Sequence, residues 1–234
     1  MEPLKDFFHD KDVQYVLDIG TGTGDFLQVL TAVFPGAVIT GVDPDSISLG
    51  EAARKFPEVT FQKMGAEKLL FKANTFDVAG ISMALHHLPK IQKSLKEIKR
   101  VVKPGGWIIV SELFSDNLNP AQEVHKFFHH FRSRIDRVLG VCHRETFKKA
   151  EIIQMIKDAG IPIQFYFDYN HEINIADHKG NIEEKVEKMK QMLEKIKGFP
   201  EYDLMKPQID EFRKNAFIHG FQPATRVVII GRNY

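Results

Sequence analysis

Short apolar runs alternate with helix-length stretches through the first half of the chain, and this alternation restricts the fold more than any other feature. Val13 to Ile19, Ala37 to Val42, Val59 to Lys63, Phe76 to Ser82 and Trp107 to Leu113 read as strands; Gly20 closes the first and Asp43-Pro44 the second. Thr23 to Phe34, Ser46 to Phe56 and Lys90 to Val102 read as helices, and Ile91, Leu95, Ile98 and Val102 share a face of the last. Parallel neighbours in a sheet need crossovers of this length. Ile163 to Tyr169 and Thr225 to Ile230 supply a sixth and a seventh strand. The expected fold class is α/β: a doubly wound, seven-stranded, mostly parallel sheet of Rossmann-like type.

The second half is mainly helical. Ala121 to Leu139 and Lys149 to Ala159 read as helices. Two more follow, one with apolar Ile182, Val186, Met189, Leu193 and Ile196, the next with Met205, Ile209, Phe212 and Ala216. Gly198-Phe199-Pro200 ends the first of these and Gly220 the second. The 234 residues are expected to form a single domain, 1–234, with helical cap insertions at about 116–146 and 171–222. A helical insertion ahead of the last strand is expected beside the carboxyl edge of the sheet, where such folds bind ligands.

Charge narrows the partners. Lys and Arg number 32 and Asp and Glu 31, so no global field draws in a polyanion, and nucleic acid is disfavoured as the main partner. Cys142 is the only cysteine, which suits a cytoplasmic location and rules out an intrachain disulfide or a cysteine-built metal site. No apolar run approaches the roughly 18 residues of a membrane span, and MEPLKDFFHD lacks the apolar centre of a signal peptide.

The stretch VLDIGTGTGDF, Val16 to Phe26, carries the chemistry. Gly20, Gly22 and Gly24 allow a tight turn and close approach of backbone to a ligand. Amides at the start of the following helix would favour an anionic group. Asp43, 19 residues after Gly24, can accept hydrogen bonds from ribose hydroxyls. A dinucleotide and an adenosyl cofactor both fit so far. Two details separate them. The spacing is G-x-G-x-G rather than G-x-G-x-x-G, and Asp18 stands on the strand before the loop. A carboxylate there repels a pyrophosphate and suits an ammonium group. S-adenosylmethionine carries an ammonium, a carboxylate, a sulfonium and a ribose.

D-I-G-T-G-T-G, V-D-P-D, G-A-E-K-L-L-F, F-D-V-A-G-I-S-M-A-L-H-H-L and V-V-K-P-G-G-W follow in order, and together they resemble the class I S-adenosylmethionine-dependent methyltransferases. The resemblance covers Val13 to Phe114, and Lys149 to Tyr169 more loosely. It implies S-adenosylmethionine as cofactor and S-adenosylhomocysteine as product. It places Asp18, Gly20 and Gly22 around the methionine part, Asp43 on the ribose hydroxyls, Pro44 and Asp45 beside the adenine, and Ala66 and Glu67 at the adenine edge. Ser82 and Met83 would close on the methionine part. Gly65 stands where many relatives have an aspartate, so Glu67 or backbone groups must meet the adenine amino group instead.

Methyl transfer is an in-line displacement in which orientation alone can contribute roughly 7–11 kcal/mol. A base is needed only where the acceptor must lose a proton. His86 and His87, after the fourth strand, are the candidate catalytic residues; a packing or cofactor-loop role is the alternative, since relatives carry a histidine pair here whatever their substrate. In EVHKFFHHFRSRIDR, helical spacing puts His125, His129 and Arg132 on one face and Phe127, Phe131 and Arg134 on another. His125, His129, Arg132 and, near the end of the sixth strand, Tyr166 are the candidate substrate residues. No metal site is expected, because His125 and His129 lack a third ligand nearby. The expected function is methyl transfer to a small-molecule acceptor, planar or anionic. The alternatives are an RNA methyltransferase using Arg132, Arg134, Arg137, Arg144, Lys148 and Lys149, and a non-catalytic cofactor-binding or interaction protein whose later helices serve a partner or a homodimer.

Overall fold

A computed structural model describes residues 1–170 and 178–234. The strands are β1 (Tyr15–Ile19), β2 (Val38–Asp43), β3 (Thr60–Lys63), β4 (Phe76–Ser82), β5 (Val102–Leu113), β6 (Ile163–Tyr169) and β7 (Arg226–Arg232). They form one seven-stranded sheet in the order β3-β2-β1-β4-β5-β7-β6. The pairs β1 with β2, β1 with β4, β2 with β3 and β4 with β5 are parallel, as the helical crossovers require. β7 runs the other way. Its far end, at Asn233, bonds the start of β5 at Gly105 and Gly106, and Arg232 bonds Pro162 ahead of β6.

The helices are α1 (Glu2–Phe8), α2 (Leu27–Val33), α3 (Ser46–Lys55), α4 (Ile91–Val101), α5 (Pro120–Val138), α6 (Lys149–Asp158), α7 (His178–Glu194), α8 (Glu201–Met205) and α9 (Pro207–His219). Four local outcomes differ from the sequence reading. Residues Thr23 to Phe26 stay in a turn, because Gly24 sits at φ 95° and its amide bonds Thr21 O. β5 begins directly at Val102, and its register against β4 slips between Phe76 and Val78, so Lys103 to Gly106 form a bulge rather than a loop. The helix expected around Met205 to Ala216 breaks at Lys206, where Pro207 opens α9. Finally α1, which no sequence pattern announced, buries Leu4 and Phe8.

The described chain divides into two compact units: residues 1–112, 150–169 and 227–234, and residues 113–149 and 170–226. The first is the sheet unit, and one of its cores gathers Leu4, Phe8, Val16, Leu27, Leu30, Val78, Ile109, Val228 and Ile230. The second is helical. Phe131 and Ile135 of α5, Val186, Met189 and Leu193 of α7, and Ile209, Phe212 and Ala216 of α9 bury one another. The start of the expected insertion 171–222 falls on residues 171–177, which lie outside the described residues.

Candidate cofactor site

The site is organised around Asp18. It pairs in register with Gly41 of β2 on one side and Gly80 of β4 on the other. Both glycines leave room that a side chain would fill. A Cβ on Gly41 would meet Thr21 Oγ1 at 2.8 Å, and one on Gly80 would meet the Phe26 ring at 2.7 Å. The loop after β1 therefore folds down over the sheet on either side of Asp18, with Thr21 and Phe26 seated in the two gaps. Gly20, at φ 70°, sits so close to the segment after β4 that a Cβ would lie 2.7 Å from Ala84 Cβ. At Gly22, also in the left-handed region, a Cβ would meet nothing within 4 Å, so the loop is open on that side.

Most loop amides are committed within the chain. Gly20 N and Thr21 N donate to Val42 O at 2.8 and 3.1 Å, Gly24 N to Thr21 O at 2.9 Å, and Gly22 N to Asp43 Oδ2 at 2.9 Å. With α2 beginning only at Leu27, the anion cradle expected at the start of the helix does not form at the glycines. Asp43 also accepts from Asp45 N at 2.8 Å through Oδ1. Its carboxylate is thus fixed by two backbone donors. It is not a helix cap; Asp45 caps α3 through Ile47 N and Ser48 N.

Asp18 is only 1% exposed, and no hydrogen bond meets either of its carboxylate oxygens among the described residues. Burial pushes its carboxyl up to about 7, the charge of Asp43 adds to the rise, and Thr21 opposes it. Two neighbouring carboxylates, one buried without a partner, make a place for a cation and a poor place for a pyrophosphate.

The remaining expected residues of this unit lie on three segments. Ala66 is buried, and Glu67 Oε1 accepts from Lys90 N at 3.2 Å. Ser82 ends β4 opposite Ser111 of β5. Met83 takes φ 53°, rare for a residue with a long side chain, and its amide bonds Ser111 O at 2.8 Å. Leu85–His87 then form a single 3₁₀ turn. His86 is buried, with Nδ1 3.0 Å from Glu112 Oε1; Glu112 is fully buried at the end of β5. His87 is half-buried, its ring 4.3 Å from that of His86.

Residues 17–110 match the family described as "Methyltransferase domain". A demethylmenaquinone methyltransferase of Chlorobaculum tepidum is 29% identical over 175 residues, 68% of this chain and 70% of that protein. A ubiquinone/menaquinone biosynthesis C-methyltransferase UbiE of Campylobacter jejuni is 35% identical over 107 residues, 44% of this chain and 45% of that one. Apart from the first, the chain spans about half the length of the curated relatives it matches. The YcgJ protein of Bacillus subtilis shares the fold at a TM-score of 0.64 and 19% identity, covering 99% of this chain and 97% of that one.

Over residues 17–110 the chain resembles the class I S-adenosylmethionine-dependent methyltransferases.

The cofactor of that family is S-adenosylmethionine, and the residues of this chain fit it. Asp18 carries a buried carboxylate that no hydrogen bond meets among the described residues, the loop is open beside Gly22, and the Asp43 carboxylate is held by two backbone amides where β2 ends.

The candidate substrate residues are dispersed. Tyr166 belongs to the sheet unit, on β6, and is half exposed. The other three belong to the helical unit, where each has a local contact. His125 Nδ1 accepts from Ala224 N at 3.1 Å, and its ring meets Phe221 edge-on. His129 Nε2 lies 3.2 Å from His143 Nε2, and His143 Nδ1 lies 2.6 Å from Asp136 Oδ2. Arg132 is exposed and 3.7 Å from Asp136.

Sequence reading missed several participants. Gly41 and Gly80 stood inside apolar strands, where a glycine signals close approach of other atoms; that signal was present. Glu112 was a lone acid at the end of a buried run, which also calls for a partner. Asp136 and His143 gave no such signal, because their meeting depends on the turn after α5.

Proposed function

We propose that this chain is a methyltransferase and transfers the methyl group of S-adenosylmethionine to a small-molecule acceptor. The buried carboxylate of Asp18, without a protein partner and beside the fixed Asp43, is the observation that supports this reading most. When bound, the cofactor supplies an electrophilic methyl group on sulfonium. The chain holds the ammonium at Asp18, orients the ribose at Asp43, and presents Ser82 and Met83 from the end of β4. The strained backbone of Met83, tied to Ser111 O, fixes where that segment turns.

The acceptor class is planar or anionic. Two curated relatives carry quinone-biosynthesis names, which makes an aromatic ring the first chemistry to test. For such an acceptor a hydroxyl must lose a proton before carbon or oxygen attacks. His86 is the better placed of the two histidines. With the proton on the nitrogen facing Glu112, its other ring nitrogen keeps a lone pair, the arrangement of a carboxylate-oriented base.

The RNA alternative receives less support, because the basic stretch is partly neutralised in place: Arg137 pairs with Glu145 at 3.0 Å, and Arg132 faces Asp136. No described helix is long and apolar enough to cross a membrane. A cytoplasmic location completes the proposal; the single cysteine supports it.

The test is product formation. Purified protein with S-adenosylmethionine and a panel of hydroquinones, phenols and aromatic acids should release S-adenosylhomocysteine with one acceptor class. His86→Asn should lower kcat by about 10²–10⁴-fold for a hydroxyl-bearing acceptor, with little change in cofactor affinity. Turnover with RNA and with no small molecule would refute the reading.

A further inference from the structure

The helical unit contains a cavity of about 640 Å³, within the range of small-molecule sites. It is lined wholly by residues of that unit, and on α5 it uses the face of Phe127, Phe131 and Arg134 rather than that of His125, His129 and Arg132. Phe127 gives the cavity its accessible aromatic side, with the buried rings of Phe131 and of Phe212 from α9 packed behind it. Asn215, also of α9, adds a polar side chain.

The charges in the cavity nearly cancel, with one exception. Lys126 pairs with Glu123 at 2.5 Å. Glu145 pairs with Arg137 at 3.0 Å. His130 shares a hydrogen bond with Thr146 Oγ1 at 2.9 Å, and burial holds its imidazole below the ordinary range, toward the neutral form. Arg134 is half-buried, and no hydrogen bond or ion pair meets its guanidinium among the described residues. A guanidinium presents a planar fork of donors that matches a carboxylate through two parallel hydrogen bonds. One unpaired fork beside an accessible phenylalanine backed by two buried ones specifies a ligand with one negative charge and an apolar, preferably flat, body.

We infer that the helical unit binds an aromatic monocarboxylate in this cavity, with Arg134 on the carboxylate and Phe127 against the ring. The lining shares no residue with those assigned to the cofactor, and the inference does not depend on the methyl-transfer reading.

The probe is 2-naphthoate, titrated calorimetrically into the full chain, with naphthalene-2-carboxamide as the neutral match of equal shape. Wild-type protein should bind the carboxylate at least about tenfold more tightly than the amide, as a charge-assisted pair requires. Arg134→Gln should erase that preference while leaving affinity for the amide and for S-adenosylhomocysteine within about twofold. Arg134→Lys should restore only part of it, because the fork is lost. Phe127→Ala should weaken both probes. Equal binding of the two probes by wild-type protein would overturn the inference, and that comparison holds even if a variant fails to fold. Absence of 2-naphthoate binding, or an unchanged preference in folded Arg134→Gln, would overturn it as well.

Discussion

The two compact units reach order by different routes. In the sheet unit, small features of sequence have long-range consequences: Gly41 and Gly80, remote from one another in the chain, flank Asp18 and admit Thr21 and Phe26 from the loop. In the helical unit, order comes from repeated apolar positions on α5, α7 and α9 that bury one another. The first device fixes a ligand-facing backbone. The second builds a packed body. The family match stops at residue 110, before the helical unit begins at Leu113. The matched residues thus lie in the unit with the stricter geometry.

Substitutions can break this contrast. The largest expected effect is Phe212→Ala in the helical core. The ring is fully buried, and its loss should lower the unfolding free energy by about 3–5 kcal/mol in urea denaturation. A change under about 1 kcal/mol would mean that the helical unit is not close-packed. Next comes the glycine loop, where two neighbouring glycines should respond unequally. Gly20→Ala forces a contact of 2.7 Å with Ala84 at positive φ, and should cost about 1–3 kcal/mol from overpacking besides its strain. Gly22→Ala meets open space, leaving only the left-handed strain of about 1–2 kcal/mol. Equal losses would show that the contact with Ala84 is not what holds the loop.

Smaller effects sharpen the other side. Asn119 caps α5 in a reciprocal capping box with Gln122, so Asn119→Ala should cost about 1 kcal/mol. Arg132→Ala removes an exposed ion pair of 3.7 Å and should change stability by less than about 0.5 kcal/mol. A larger loss would give Arg132 a structural role that its surroundings do not suggest.

Most of the sheet was legible because period and punctuation agree there. The β4 and β6 boundaries follow directly from FDVAGIS and IQFYFDY. The loop was legible as a glycine-rich turn after β1, but its inner workings were not. Helical composition around Thr23 overrode the turn that Gly24 demands, and the use of loop amides by Val42 and Asp43 depends on β2 lying beside β1. α1 escaped because seven residues carry too little periodicity to read. On α5, spacing separated the two faces correctly, yet it could not say which one borders a cavity. That choice is made by α9, some ninety residues further along the chain.

The central claim is that Asp18 meets the ammonium of the cofactor, and S-adenosylhomocysteine titrated calorimetrically at several pH values tests it most directly. The Asp18 carboxyl is raised from 3.8 to about 7 in the ligand-free fold. The native state therefore holds this proton more tightly than the unfolded chain, and the ionised carboxylate destabilises the ligand-free protein increasingly as pH rises through that window. An ammonium binds the ionised form, so affinity should rise as pH increases toward about 7 and then level off. Asp18→Asn should bind roughly 10–100-fold more weakly at pH 7.5 and lose that pH dependence, as removal of a charge-assisted bond implies. Wild-type affinity with an unchanged pH profile in Asp18→Asn, or preferential binding of NAD by the wild-type chain, would contradict the account.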